Sequence, residues 1–182
     1  MASLMSRLAP LIITLRGSKR EFSSVERTLA RVRREREHPV SFEPPARLRR
    51  TVHITRSDAA GWPVFEVMPL DGSGRRGAGA TGSEAIYLHG GVYSFEIDPV
   101  HWTFVANLAV EAGITVIVPI MPLAPSGTAS VIVPAVADLA ASVIADVGAD
   151  NLSIIGDSSG GGMSLAVAME LRDRELPPLH RL

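Results

Sequence analysis

The residues with the clearest chemical potential are Gly156-Asp157-Ser158-Ser159-Gly160, followed at once by Gly161 and Gly162. Their spacing is G-x-S-x-G. It falls between an apolar stretch, Leu152 to Ile155, that reads as a buried strand, and a stretch to about Arg172 that reads as a helix. A serine on so sharp a strand-to-helix turn projects above the edge of a sheet, where a base can reach its hydroxyl. Small residues at Gly156 and Gly160 keep the turn from colliding with its neighbours. The chemistry this permits is attack of Ser158 on an acyl carbon, with the N–H groups at the helix start turned toward the developing negative charge. A glycine-rich turn can also cradle phosphate. Here, however, the lysine of a P-loop is missing and the glycine spacing departs from the dinucleotide fingerprint.

Attack on a carbonyl needs donors for the oxyanion that forms. His89-Gly90-Gly91-Val92-Tyr93 follows an earlier short strand, residues 85–88, and glycine lets a chain approach a substrate closely. The sequence therefore assigns the oxyanion hole to the backbone N–H groups of Gly90, Gly91 and Ser159, with His89 in a structural role. Taken alone, H-G-G is equally an ordinary turn, and it gains meaning from the downstream elbow.

The elements that must position these groups follow a strand–helix rhythm. Thr51 to Thr55 alternates and Pro63 to Met68 follows a turn, so the two read as a hairpin. Asp71 to Gly82 reads as an exposed loop. Asp98-Pro99 supplies a cap and a first-turn proline to a helix ending at Gly113, with Val100, Phe104 and Leu108 on its expected inner face. Ile114 to Val118 is a β-branched strand. Pro134 to Val147 reads as a helix with Val136, Leu139, Ala140, Val143 and Ile144 inward. Such alternation predicts an α/β fold with a mainly parallel sheet covered by helices on both faces. Before it, residues 1–47 read as a helical segment. Ser23 and Glu26 have capping-box spacing, Val25, Leu29 and Val32 share a face, and Pro39 is the stop. The expected division is a lid segment at 1–47 and a core at 48–182.

A chain of 182 residues with a net charge of −1 argues against nucleic acid or an anionic membrane as the main partner. With no cysteine there is neither a thiolate metal site nor a cysteine nucleophile, and no metal site is assigned. Leu8 to Leu15 is too short to span a bilayer and lacks the features of a signal peptide. It reads as an amphipathic lid or packing segment, with a cytoplasmic location expected. Oligomeric state is not legible.

Together, His89-Gly90-Gly91 and Gly156-Asp157-Ser158-Ser159-Gly160-Gly161 resemble the hormone-sensitive-lipase family of α/β-hydrolases, the bacterial family IV esterases with an H-G-G motif and a G-D-S-[AS]-G-G elbow. The resemblance covers about residues 48–182, and the N-terminal helices look like that family's lid. Met121-Pro122-Leu123-Ala124-Pro125 stands where relatives carry Y-R-L-A-P, and Val92 stands where many have a third glycine. The resemblance implies an α/β-hydrolase fold and hydrolysis of small carboxylic esters, without metal or organic cofactor. In this fold the acid and the histidine follow the serine. After Ser158 come Glu170, Asp173 and Glu175, on or just past the elbow helix, and His180. A helix from Ser159 to Arg172 rises about 20 Å, which carries His180 away from the serine. The Asp and His of the triad, and the last strands of the fold, are thus expected to be absent from this chain. The alternative is a non-catalytic ligand-binding or inactive truncated relative.

Overall fold

Alternating apolar residues on two short segments close the expected hairpin. It consists of β1 (Val52–Ser57) and β2 (Val64–Pro69), antiparallel, with Val52 opposite Pro69 and Ser57 opposite Val64. The computed structural model describes residues 23–58, 61–71, 82–179 and 181. The apolar run Leu8 to Leu15, most of the loop after Asp71, and His180 lie outside the described residues.

The chain divides into two compact units, Met1–Ser41 and Phe42–Leu182. In the first, α1 (Val25–Glu37) is capped by Ser24 rather than Ser23, the Ser24 hydroxyl accepting the Arg27 N–H at 3.3 Å. The second unit contains the sheet. Phe42 belongs to it because its carbonyl accepts the Trp102 Nε1–H at 3.1 Å and its ring meets Phe65 edge-on.

The remaining strands are β3 (Glu84–Leu88), β4 (Thr115–Pro119) and β5 (Leu152–Gly156), in the spatial order β1-β2-β4-β3-β5. β3 runs parallel to β4 and β5, whereas β2 meets β4 antiparallel. The alternation of β-strand side chains sends Ile86, Leu88, Ile117, Leu152 and Ile154 to one face. Tyr87, Val116 and Val118 go to the other. Both faces are covered, which is what a run of β-branched residues requires.

One face is covered by α2 (Pro99–Ala112). Its cap is Asp98 and its stop is Gly113, in the left-handed conformation (φ 65°), as the sequence implies. The inner face differs from expectation. Trp102, Val105, Ala106 and Ala109 are buried, while Val100 and Phe104 are exposed. Trp102 decides the rotation of the helix, because its large ring packs edge-on against Phe65 at 5.2 Å.

The other face carries α3 (Ala129–Val147) and α4 (Ser159–Asp173). α3 begins before Pro134, at the Thr128 cap, so the proline sits inside the helix rather than opening it. The carbonyl of Pro134 is held from outside by Arg174 Nη2 at 3.3 Å, and Arg174 also reaches Asp138 and Glu170. Ile132, Val136, Ala137, Ala140 and Val143 form the buried stripe of α3, and Leu139 and Ile144 pack at its margin. By length and composition α3 could cross a membrane, but here it lies against the sheet. β5 is the last strand in the sheet order, and past α4 the chain returns so that Arg181 O accepts the Ile154 N–H at 3.2 Å.

Candidate active site

β5 ends at Gly156 and α4 starts at Ser159, so Asp157 and Ser158 alone make the turn. Ser158 takes φ 50° and ψ −120°, a left-handed-side backbone that a residue with a side chain rarely adopts. It occupies the cap position of α4, yet its hydroxyl makes no capping bond and has no partner among the described residues. The first helical amides are satisfied by backbone instead. Gly160 N–H donates to Asp157 O at 2.8 Å, and Gly161 N–H donates to Ser158 O at 3.1 Å. Among the described residues, Ser158 Oγ and the adjacent Ser159 N–H therefore both stand without a partner at the N-terminus of α4.

The two motif glycines are required by space. A Cβ on Gly156 would run into the backbone of Gly160, and one on Gly160 would run into the carbonyl of Leu88. The elbow is thereby wedged against the end of β3, directly before His89. Gly161 is far less constrained, its Cβ meeting Gly156 O at a slightly tight 3.3 Å.

The loop after β3 has three successive residues at positive φ: Gly91 (126°), Val92 (55°) and Tyr93 (60°). Consecutive amides in such a conformation form a concave, anion-favouring surface. Gly91 and Val92 N–H have no partner among the described residues, and Tyr93 N–H donates to Ser159 Oγ at 3.4 Å. Gly90, by contrast, is engaged. Its N–H donates to Asp157 Oδ1 at 2.8 Å. This corrects the assignment of Gly90 to the oxyanion hole, because an amide already bonded to a carboxylate is not available to a second anion. The free amides of the loop are one residue further on, at Gly91 and Val92.

Asp157 is the hub of this arrangement. Its Oδ1 also accepts the Tyr87 O–H at 2.6 Å, and its Oδ2 faces His101 Nε2 at 3.5 Å. Burial opposes ionisation of Asp157. The Tyr87 hydroxyl, the Gly90 amide and the nearby His101 outweigh that effect and hold its carboxyl below the usual range. Burial and the same carboxylate push the Tyr87 phenol well up, so Tyr87 remains a proton donor. His89 is buried, with Nδ1 at 2.6 Å from Gly90 O, and burial lowers its pKa. A bond to a carbonyl requires the hydrogen on Nδ1, so the ring orders the loop. Neither Tyr87 nor His101 was singled out from the sequence. The signal available was a lone polar tip on an otherwise buried strand, and a histidine three residues after a helix cap.

Glu170 and Asp173 are placed on α4 and pair with Arg174 and Arg172, while Glu175 lies just beyond the helix. Among the described residues no imidazole bonds to Ser158 Oγ, and no cluster of three His, Asp or Glu side chains could hold a metal.

The strand order, the strained serine turn and its partner loop together define a class. The chain belongs to the alpha/beta hydrolase fold family, whose profile matches residues 85–182. It is similar to a triacylglycerol lipase of Mycobacterium tuberculosis, with 38% identity over 122 residues, covering 66% of this chain and 26% of that protein. Among solved structures it resembles "a putative esterase from Staphylococcus aureus" with TM-score 0.72 and 22% identity, covering 86% of this chain and 51% of that one. A hormone-sensitive lipase from a metagenome library aligns with TM-score 0.60 and 24% identity, covering 83% and 53%. The chain thus spans about a quarter of the curated lipase and about half of each of the two structures. The α/β-hydrolase fold read from the motifs agrees with these relatives.

Proposed function

We propose that this chain carries the nucleophile and oxyanion elements of a serine carboxylic-ester hydrolase acting on small esters. The observation that carries the proposal is Ser158. It is held at φ 50° between β5 and α4, with its hydroxyl unused by the helix it caps. Ser158 Oγ, giving its proton to a base, attacks the ester carbonyl carbon; backbone N–H groups hold the alkoxide of the tetrahedral intermediate, collapse returns the proton to the departing alcohol and leaves an acyl-serine, and water then cleaves that to the free acid. The amides supporting this role are those of Gly91, Val92 and Ser159. His89, Asp157 and the motif glycines Gly156, Gly160 and Gly161 shape the turn and its loop.

A general base must lie within hydrogen-bond reach of the serine, and none of the described residues does. The acid and base of the triad are therefore proposed to lie outside the described residues. Without them the free oxyanion donors and binding alone support only a residual acceleration, roughly 10³–10⁴ over water in comparable serine enzymes. The second reading is a ligand-binding relative without turnover, in which the Ser158 hydroxyl stays unreacted.

The test is stoichiometric labelling of the chain by an activated p-nitrophenyl ester, with the adduct located by peptide mass spectrometry. The expected result is a slow burst of p-nitrophenol that disappears in Ser158→Ala. An adduct on another residue, or a burst that persists in Ser158→Ala, overturns the assignment. Binding of the ester without any burst favours the second reading.

A further inference from the structure

The Asp157 carboxylate has a neighbour that the proposed chemistry does not use. His101 lies in the first turn of α2, its side chain 20% exposed, with Nε2 at 3.5 Å from Asp157 Oδ2. The cap of that helix sets the ring. Asp98 Oδ1 accepts the N–H groups of Val100 (2.7 Å) and His101 (3.1 Å), while the Asp98 N–H donates to His101 Nδ1 at 3.1 Å. A ring nitrogen that accepts carries no hydrogen, so a neutral His101 in this cap keeps its proton on Nε2, facing the elbow. When protonated, the ring also offers Nδ1–H to Asp98 Oδ1, 2.9 Å away, and Nε2–H still faces Asp157. Both forms present an N–H to the same carboxylate oxygen.

Three other groups bear on this contact. The Tyr87 hydroxyl and the Gly90 amide hold the other oxygen of Asp157, and the His89 ring stands 6.1 Å from that of His101. Oδ2 lies so close to Gly90 that a Cβ there would overlap it. Rotation of this carboxylate therefore moves the amide that opens the oxyanion loop. We propose that His101 is a positioning residue: through Asp157 it holds the Gly90 amide, and with it the Gly91–Val92 amides, in register with Ser158. Its consequence for catalysis rests on the acyl-transfer reading above, whereas the contact itself does not. The helix cap on one face of the sheet thus orders the elbow at the strand ends, and the low pKa of Asp157 keeps the connection ionised over the working pH range.

The test compares His101→Gln and His101→Ala with the unaltered 182-residue chain. Glutamine at the third helical position is itself a capping-box residue, so His101→Gln retains the cap of α2 while withdrawing the N–H from Asp157. The readout is the Gly90 amide in ¹⁵N-labelled protein. In His101→Gln the thermal midpoint should stay near that of the unaltered chain. The Gly90 amide should nevertheless move upfield and exchange about tenfold faster, as expected for a weakened charge-assisted bond. In Asp157→Asn the same upfield shift and faster exchange should appear with His101 intact. An unchanged Gly90 amide in His101→Gln overturns the proposal. None of these readings needs turnover, so an unreactive Ser158 counts against the acyl-transfer reading and leaves the amides to decide the role of His101. Where esters do react, His101→Gln should lower kcat at nearly constant KM, and a change in KM alone counts against the proposal.

Discussion

Adding one methyl group at Gly160 tests whether the elbow is held by packing against the end of β3. The ideal Cβ of Gly160 would overlap the Leu88 carbonyl oxygen and stand 2.7 Å from Leu88 C and 2.9 Å from His89 C. Ordinary contact begins at 3.4 Å, so clearing the Leu88 carbonyl oxygen requires β3 and the helix to separate by roughly 1.5 Å. Both partners are backbone, one in the sheet and one in a helix, so no side chain can swing aside. Overpacking of this kind costs about 1–3 kcal/mol, and two rigid partners place Gly160→Ala at about 3 kcal/mol. Replacing a helical glycine by alanine returns at most ~1 kcal/mol, which leaves a net loss of about 2–3 kcal/mol. For a chain of this size that corresponds to a fall in Tm of roughly 4–12 °C. Gly161→Ala is the matched control. Its Cβ would meet nothing nearer than Gly156 O at 3.3 Å, so the helix gain should dominate and Tm should stay level or rise. The assay is thermal and urea unfolding of both variants beside the unaltered chain. Equal stability of Gly160→Ala and Gly161→Ala would refute the reasoning, because the two differ only in what the methyl group meets.

Val92 is β-branched, half exposed and held at φ 55°, a conformation that costs a side-chain residue roughly 1–2 kcal/mol. Val92→Gly should therefore stabilise the chain by about 0.5–1 kcal/mol in urea titration, after allowance for the greater freedom of glycine in the unfolded state. Tyr87→Phe removes the 2.6 Å donor to Asp157 and should cost about 1.5–3 kcal/mol at neutral pH. The folded pKa of Asp157 is depressed, so the stability it contributes is present above the ordinary carboxylate pKa of about 3.9 and is lost as pH falls through the folded value. Acid unfolding of Tyr87→Phe should accordingly begin at higher pH. His89 is buried and its pKa is lowered, so below about pH 6.5 the unfolded chain binds a proton that the folded chain does not. Stability should thus decline as pH falls from that point toward the folded value, and the slope should flatten in His89→Gln when unfolding free energy is followed against pH.

Some of this architecture was legible in the linear pattern because the forces behind it are local. The Asp98 cap, the first-turn Pro99 and the stop at Gly113 bounded α2 correctly, since capping and left-handed glycine are decided within one turn. The strand–turn–helix setting of Ser158 was legible for the same reason: the glycines around it and the flanking strand and helix all lie within a short segment. The face of α2 was misread because Trp102 outweighs Val100 and Phe104 only once Phe65, from a distant strand, is present to receive it. The start of α3 was misread because a proline inside a helix is tolerated here, with its carbonyl held by Arg174 from α4's far end. The allocation of amides followed the same division. The sequence by itself determined that a serine elbow and a glycine loop would meet at the ends of neighbouring strands. Only the tertiary structure decided which loop amides remain free, because the Gly90 N–H is taken by a carboxylate 67 residues away, held there by Tyr87 and faced by His101. A hydrogen bond across that separation has no periodicity to announce it, and it exists only after β3 and β5 pair side by side.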